Sequence, residues 1–177
     1  METKNNIFFF GGIHGVGKTT ICKNICDELN INYLSASEVI KWGELNKHNK
    51  VVSNVIDTQN RLLNGLENII QKDQYYILDG HYCLLGDGNS ILPIPMETFE
   101  AIKPSSLNLI VGDVKEIKAR LEERDNKLYD ISLLMRMQDM ETEYCIKLSN
   151  NLKIPHNLMS SMNHTNMVNL IRKDIVK

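Results

Sequence analysis

The sequence has little that would commit it to an unusual setting. It has four cysteines and no C-x-x-C pair among them, which argues against a disulfide framework or a thiolate metal knuckle. Cys22 and Cys26 are four apart, on one helical face with Ile25 and Leu29, and Cys22, Cys26, Cys83 and Cys145 are all expected as core thiols. No apolar run approaches the ~18 residues of a membrane span, and the N-terminal stretch has no signal-peptide architecture. The expectation is therefore a soluble, cytoplasmic chain with no membrane partner. Net charge is only −2, too small a bias for broad electrostatic binding to nucleic acid, so any anion site must be local. Neither an internal repeat nor a low-complexity linker divides the 177 residues. A chain of this length reads as one domain over 1–177, able to bury roughly 70% of its unfolded surface without staples.

Against that plain background one segment is specific. Gly12-Ile13-His14-Gly15-Val16-Gly17-Lys18-Thr19 fits G-x-x-x-x-G-K-[ST] and directly follows the apolar run Ile7-Phe8-Phe9-Phe10. Glycines let a backbone turn through positive φ so that successive N–H groups converge on phosphate oxygens, and the following helical segment, 18–29, aims its dipole at the same anion. The expectation is a nucleoside triphosphate, ATP, cradled by Gly12, Ile13, His14, Gly15, Val16, Gly17, Lys18, Thr19 and Thr20. Lys18 would reach the β- and γ-phosphates, and Thr19 would hold Mg²⁺. His14 reads as a spacer within the loop.

The rest of the chain alternates strand and helix. Strand patterns fall at 31–34, 75–78, 107–111 and 154–159. Helical spacing covers 53–72, where Val55, Leu62, Leu66, Ile69 and Ile70 recur on one face, and also 96–103, 113–124, 131–148 and 165–176. Ser35 with Glu38 has capping-box spacing for a helix to about residue 46, broken at Lys47-His48-Asn49-Lys50. Gly86-Asp87-Gly88-Asn89 and Pro93-Ile94-Pro95 mark a loop or small hairpin. This alternation, with the phosphate loop after the first strand, predicts an α/β P-loop NTPase fold: a parallel sheet of about five strands, helices on both faces, and the ligand at the strands' C-terminal ends.

Tyr75-Tyr76-Ile77-Leu78-Asp79 is a run of strand formers ending in a carboxylate, the Walker-B pattern, which would bring Asp79 beside the loop to hold Mg²⁺ through water. With both motifs in place the chain resembles the nucleoside-monophosphate kinases, in particular the adenylate-kinase-like branch. Ser35-Ala36-Ser37-Glu38-Val39-Ile40-Lys41 is similar to the helix that carries an acceptor-binding arginine, with Lys41 in the arginine's place. Arg120-Leu121-Glu122-Glu123-Arg124 resembles the start of the lid and Arg136-Met137-Gln138-Asp139 its end. Cys83 and Lys147 stand where that family has further arginines, and Asp79-Gly80-His81 looks closer to the short-lid, archaeal-type adenylate kinases. The resemblance implies a kinase using ATP and Mg²⁺, acceptor helices at about 36–72, a short helical lid at about 120–136, and a small-molecule acceptor, most often a nucleoside monophosphate.

The residues alone support part of this. Phosphoryl transfer asks for in-line positioning, metal and cations around the equatorial oxygens, and three of only five arginines lie within 120–136. Arg120, Arg124 and Arg136 are the candidate catalytic arginines beside Lys18; they could instead lace a solvated helix with ion pairs to Glu116 and Glu123. On the acceptor side the candidates are Lys41, Gln59, Arg61 and His81, in a pocket between the helices bearing Lys41 and Gln59, closed near His81 and Tyr82. Gln59 falls on an apolar stripe, where it either reads a base edge or bonds nearby backbone. Trp42 either stacks a base or packs in the core, and His48, His156 and His164 show no partner spacing. The competing reading is a regulatory nucleotide-binding ATPase. A guanine-reading N-K-x-D motif is missing, since Asn126-Lys127-Leu128 is followed by Tyr129.

Overall fold

A computed structural model describes residues 6–45, 55–160 and 164–176, with side chains at 42–45, 55, 56 and 164 outside that description. The predicted break at 47–50, the His48 position and the side chains of Trp42, Val55 and His164 therefore lie outside the described residues. Strand β1 (Ile7–Gly11) is followed by α1 (Lys18–Leu29), β2 (Asn32–Ser35), α2 (Ala36–Leu45), α3 (Val55–Ile69) and β3 (Tyr76–Asp79). Next come a two-stranded hairpin of β4 (Cys83–Leu85) and β5 (Ile91–Pro93), then α4 (Met96–Ile102), β6 (Ser106–Val111), α5 (Val114–Asp125), α6 (Ile131–Leu152), β7 (His156–Ser160) and α7 (His164–Val176).

Five strands form one sheet in the order β2-β3-β1-β6-β7, every pair parallel. The β1 sequence IFFFG is apolar without alternation because both of its faces are covered. Phe8 and Phe10 pack on one side with Cys22 and Ile25 of α1, Ile117 and Leu121 of α5 and Met167 of α7. Phe9 faces the other, with Leu62 and Leu66 of α3, Phe99 of α4 and Leu148 of α6. All four cysteines are buried free thiols, as their spacing suggested.

Helix starts follow local chemistry. Asp113 caps α5, accepting from the Lys115 and Glu116 amides at 2.7 and 3.2 Å, and Asp130 caps α6 through the Ser132 amide at 2.8 Å. At Ser35 the hydroxyl instead meets the Ser37 hydroxyl at 2.9 Å. Helix α6 outruns its expected end at 148, stopping where Lys153 turns left-handed (φ 55°) ahead of Pro155. The predicted hairpin is present, β4 pairing β5 antiparallel.

The sheet order fixes where a ligand can lie. The chain leaves β1 with neighbours β3 and β6 on either side, and the crevice at the C-terminal ends of such strands is where α/β sheets bind ligands. Gly11, Asp79 and Val111 end those three strands.

Candidate functional site

Between β1 and α1 the loop holds three glycines at positive φ: Gly12 (145°), Gly15 (79°) and Gly17 (94°). Space demands glycine as well as conformation. A Cβ on Gly12 would lie 2.6 Å from the Ile110 carbonyl oxygen, and one on Gly15 would lie 2.7 Å from the Leu121 side chain. The loop is thus pressed between β6 and α5, with Ile13 and Val16 buried as its anchors. Gly17 begins α1 without a side-chain cap, so the first-turn N–H groups have no side-chain acceptor of their own and suit an anion.

Lys18 opens α1 and meets Asp79, at the end of β3, with Nζ–Oδ1 3.0 Å. Thr19 Oγ1 donates to Asp79 Oδ2 at 2.8 Å. The Tyr33 hydroxyl, from β2, donates to that same Oδ2 at 2.9 Å. Lys18 and Asp79 are both buried, and removing one partner of a buried pair typically costs ~3–5 kcal/mol because the other charge is stranded. The two sequence motifs, 60 residues apart, converge on one carboxylate. A hydroxyl and a carboxylate this close are hard oxygen donors of the kind Mg²⁺ takes, and the cramped glycine turn brings backbone N–H groups beside Lys18 where a phosphate would sit. The residues present therefore fit both Mg²⁺ and a triphosphate.

Beyond Asp79 opens a cavity of about 400 Å³. Its walls are Ser35, Ser37 and Ile40 from α2 and its approach, Thr58, Gln59 and Leu62 from α3, His81, and apolar side chains of the hairpin and α4. Lys18, Thr19 and His14 bound it on the loop side. Gln59 is 5% exposed, yet its Oε1 has no hydrogen-bond partner among the described residues. Among the described residues that oxygen bonds no backbone group. Neither Lys41, which is exposed, nor Arg61, which is half-buried, lines the cavity.

Tyr82 does not close the cavity as expected. It is fully buried between Phe9 and Phe99, ring centroids 5.1 and 5.8 Å away, and its ring fills the space over Gly11, where a Cβ would come within 2.2 Å of it. His81, by contrast, lines the cavity, its ring 4.3 Å from that of His14. Its Nδ1 lies 3.5 Å from Glu141 Oε1. Glu141 is wholly buried in α6, where its Oε1 accepts the Tyr82 and Cys83 amides at 3.2 and 3.3 Å and so ties the strand end to α6. Cys83, standing where the resembled family has arginine, is buried, and that burial pushes its thiol up to about 12. His14 is exposed as a residue, yet desolvation of its ring against His81 first, then the charges of His81, Lys18 and Arg124, push its imidazole down to about 4. His156, which had shown no partner spacing, meets Ser149 Oγ at 2.8 Å.

The three arginines are exposed. Arg124 forks onto neighbouring Asp125, Nε–Oδ1 2.6 Å and Nη2–Oδ2 2.8 Å, and its charge is felt at His14. Arg120 shares its helix. Arg136, on α6, sits by the hairpin tip with Asn89, Ser90 and Ile91 and does not line the cavity beyond Asp79. Helix lacing occurs too, between Lys118 and Glu122.

A family model described as an AAA domain matches residues 11–133, from the glycine loop through α5. The chain belongs to this AAA-domain family. The adenylate-kinase-like resemblance read from its motifs is matched by a relative from Methanocaldococcus jannaschii named "Putative adenylate kinase", 31% identical over 118 residues. That alignment takes in 66% of this chain and 57% of the relative, so the chain spans little more than half that protein's length. Two solved structures share the architecture. A gluconokinase from Sinorhizobium meliloti 1021 aligns over 98% of this chain and 93% of its own, with TM-score 0.55 and 10% identity. An uncharacterized protein from Eubacterium ventriosum ATCC 27560 aligns over 98% and 99%, with TM-score 0.53 and 16% identity. The fold is that of the α/β P-loop NTPases. Among the described residues no helix is long and apolar enough to cross a membrane.

Proposed function

We propose that this AAA-domain protein is a Mg²⁺-dependent phosphotransferase that moves the γ-phosphoryl group of ATP to a small acceptor, within a single kinase-like domain over 1–177. The observation that carries this is the cavity that opens directly off the Lys18–Thr19–Asp79 cluster. A switch ATPase needs room for nucleotide and water; here a mostly apolar cavity runs from Lys18, Thr19 and Asp79 to Phe99 and Ile102 of α4. Bound Mg²⁺ would supply charge neutralisation between the phosphates, held by Thr19 and, through water, by Asp79.

The chain's own groups then have separable tasks. Backbone N–H groups at 12–17 and the first turn of α1 bind phosphate oxygens. Lys18 exchanges Asp79 for the phosphates and follows the transferred charge. Arg120, Arg124 and Arg136 act from the lid when it closes, excluding water. Gln59 and His81 orient the acceptor from the cavity wall, with Lys41 and Arg61 outside the cavity's described lining.

The family resemblance makes a nucleoside monophosphate the first candidate acceptor. A second candidate, a hydroxylated metabolite without phosphate, is favoured by the wall itself: among the described residues lining the cavity Lys18 is the one lysine or arginine, and the other polar groups are mainly Ser, Thr and Gln. A screen of the purified chain against both classes tests the reading. A phosphotransferase produces ADP faster with one of them present; a panel that leaves ADP production at background speaks for the regulatory ATPase instead.

A further inference from the structure

Among the described residues Asp79 receives three side chains, and the proposed chemistry claims only two of them. Lys18 and Thr19 come from α1, at the phosphate loop, and both are wanted by nucleotide and metal. Tyr33 comes from a different strand. In the register of β2 with β3, Tyr33 lies opposite Ile77 and Ser35 opposite Asp79. Ile77 and Asp79 alternate onto one face of the sheet, so the phenol extends along that face from two residues upstream and meets Oδ2 at 2.9 Å. The ring is itself held, half-buried among the apolar side chains under α1 with Lys23 Nζ 5.2 Å from its centroid. A phenol is a hydrogen-bond donor at neutral pH, so this hydroxyl can hold the carboxylate oxygen it meets.

We propose that Tyr33 is the positioning residue for Asp79, the one hydrogen bond that stays on the carboxylate when nucleotide and metal draw Lys18 and Thr19 away. The inference rests on the reading of Asp79 as the Mg²⁺ residue. Physically, a carboxylate that loses an ammonium and one hydroxyl partner at the moment of loading is free to rotate about its side chain. Tyr33 removes that freedom by fixing Oδ2 from the sheet, so that Oδ1, once Lys18 leaves it, would be the oxygen available to the metal. Loss of one hydrogen bond to a charged group corresponds to about tenfold in affinity.

Calorimetric titration of ADP into the whole chain, once with excess Mg²⁺ and once with EDTA, separates this role from a merely structural one. Tyr33→Phe keeps the ring packed under α1 and deletes only the hydroxyl. The expected result is about tenfold weaker binding with Mg²⁺ and less than twofold change with EDTA. In an Asp79→Asn background the same substitution should change nothing further, because the charge it positions is gone. Equal weakening with and without metal, no weakening at all, or a Tyr33 effect that persists undiminished in Asp79→Asn would each overturn the assignment. If Asp79→Asn alone binds Mg²⁺-ADP like the parent, the metal reading of Asp79 fails first. If Asp79→Asn shows the metal-specific loss and Tyr33→Phe does not, only the role of Tyr33 fails.

Discussion

Lys18 and Asp79, 61 positions apart in the chain, meet at 3.0 Å with less than a tenth of either side chain exposed. Each neutralises the other until a stronger electrostatic partner arrives, so the ion pair stores the site's two main charges side by side. Lys18→Ala should therefore do two things. Turnover should fall by about 10²–10³ or more, because a donor aimed at developing charge is lost, and thermal stability should drop because Asp79 is left buried and unpaired. Steady-state kinetics and a melting curve check both. Unchanged turnover in a folded variant would remove Lys18 from the reaction.

Gln59 offers a sharper discrimination between structure and recognition. Its Oε1 is buried with no protein partner described, and an unsatisfied buried acceptor destabilises by about 1–3 kcal/mol. Gln59→Leu should leave the melting temperature unchanged or raise it, and should raise KM for the acceptor with little effect on KM for ATP. A fall in stability with an unaltered acceptor KM would make Gln59 a structural amide.

The pH dependence has a definite sign. The His14 imidazole stands at about 4 in the folded protein against its ordinary 6.5, through desolvation and the nearby His81, Lys18 and Arg124. The unfolded chain then takes up that proton more readily than the folded one. The resulting stabilisation is complete above about pH 6.5 and is lost as pH falls toward 4. Melting temperatures from pH 4 to 7 should fall more steeply for the parent than for His14→Gln. Parallel curves would show that His14 does not titrate in this way.

Much of the architecture was legible for a simple reason. Strands covered on both faces read as unbroken apolar runs, Ile7–Gly11 above all, and glycine, proline and aspartate punctuate the rest: Gly86 to Asn89 in the hairpin, Asp113 and Asp130 at helix starts. The grouping of Lys18, Thr19 and Asp79 was legible because each belongs to a motif with its own local spacing. Tyr33 and Glu141 were not, since their partners lie 46 and 58 or 59 residues away and only the sheet and α6 bring them together. Glu141 did leave a trace, a carboxylate in line with the buried Leu134, Met137, Cys145 and Leu148 of α6. A cavity beside α2 and α3 was legible in position but not in membership: helical spacing could not tell that Lys41 stays outside, or that Tyr82 turns into the core over Gly11.

The fate of the γ-phosphoryl group tests the central claim most directly. Labelled at that position, ATP and Mg²⁺ are given to the chain with the acceptor that most stimulates ADP production, and the label is followed into phosphorylated acceptor or into inorganic phosphate. With a lid that excludes water, nearly all of it should appear on the acceptor. Arg124→Ala should slow that transfer about 10³-fold, as loss of an arginine finger does, while changing ATP affinity far less. Label appearing only as inorganic phosphate, at a rate no acceptor alters, would contradict a phosphotransferase and leave a slow nucleotide switch in its place.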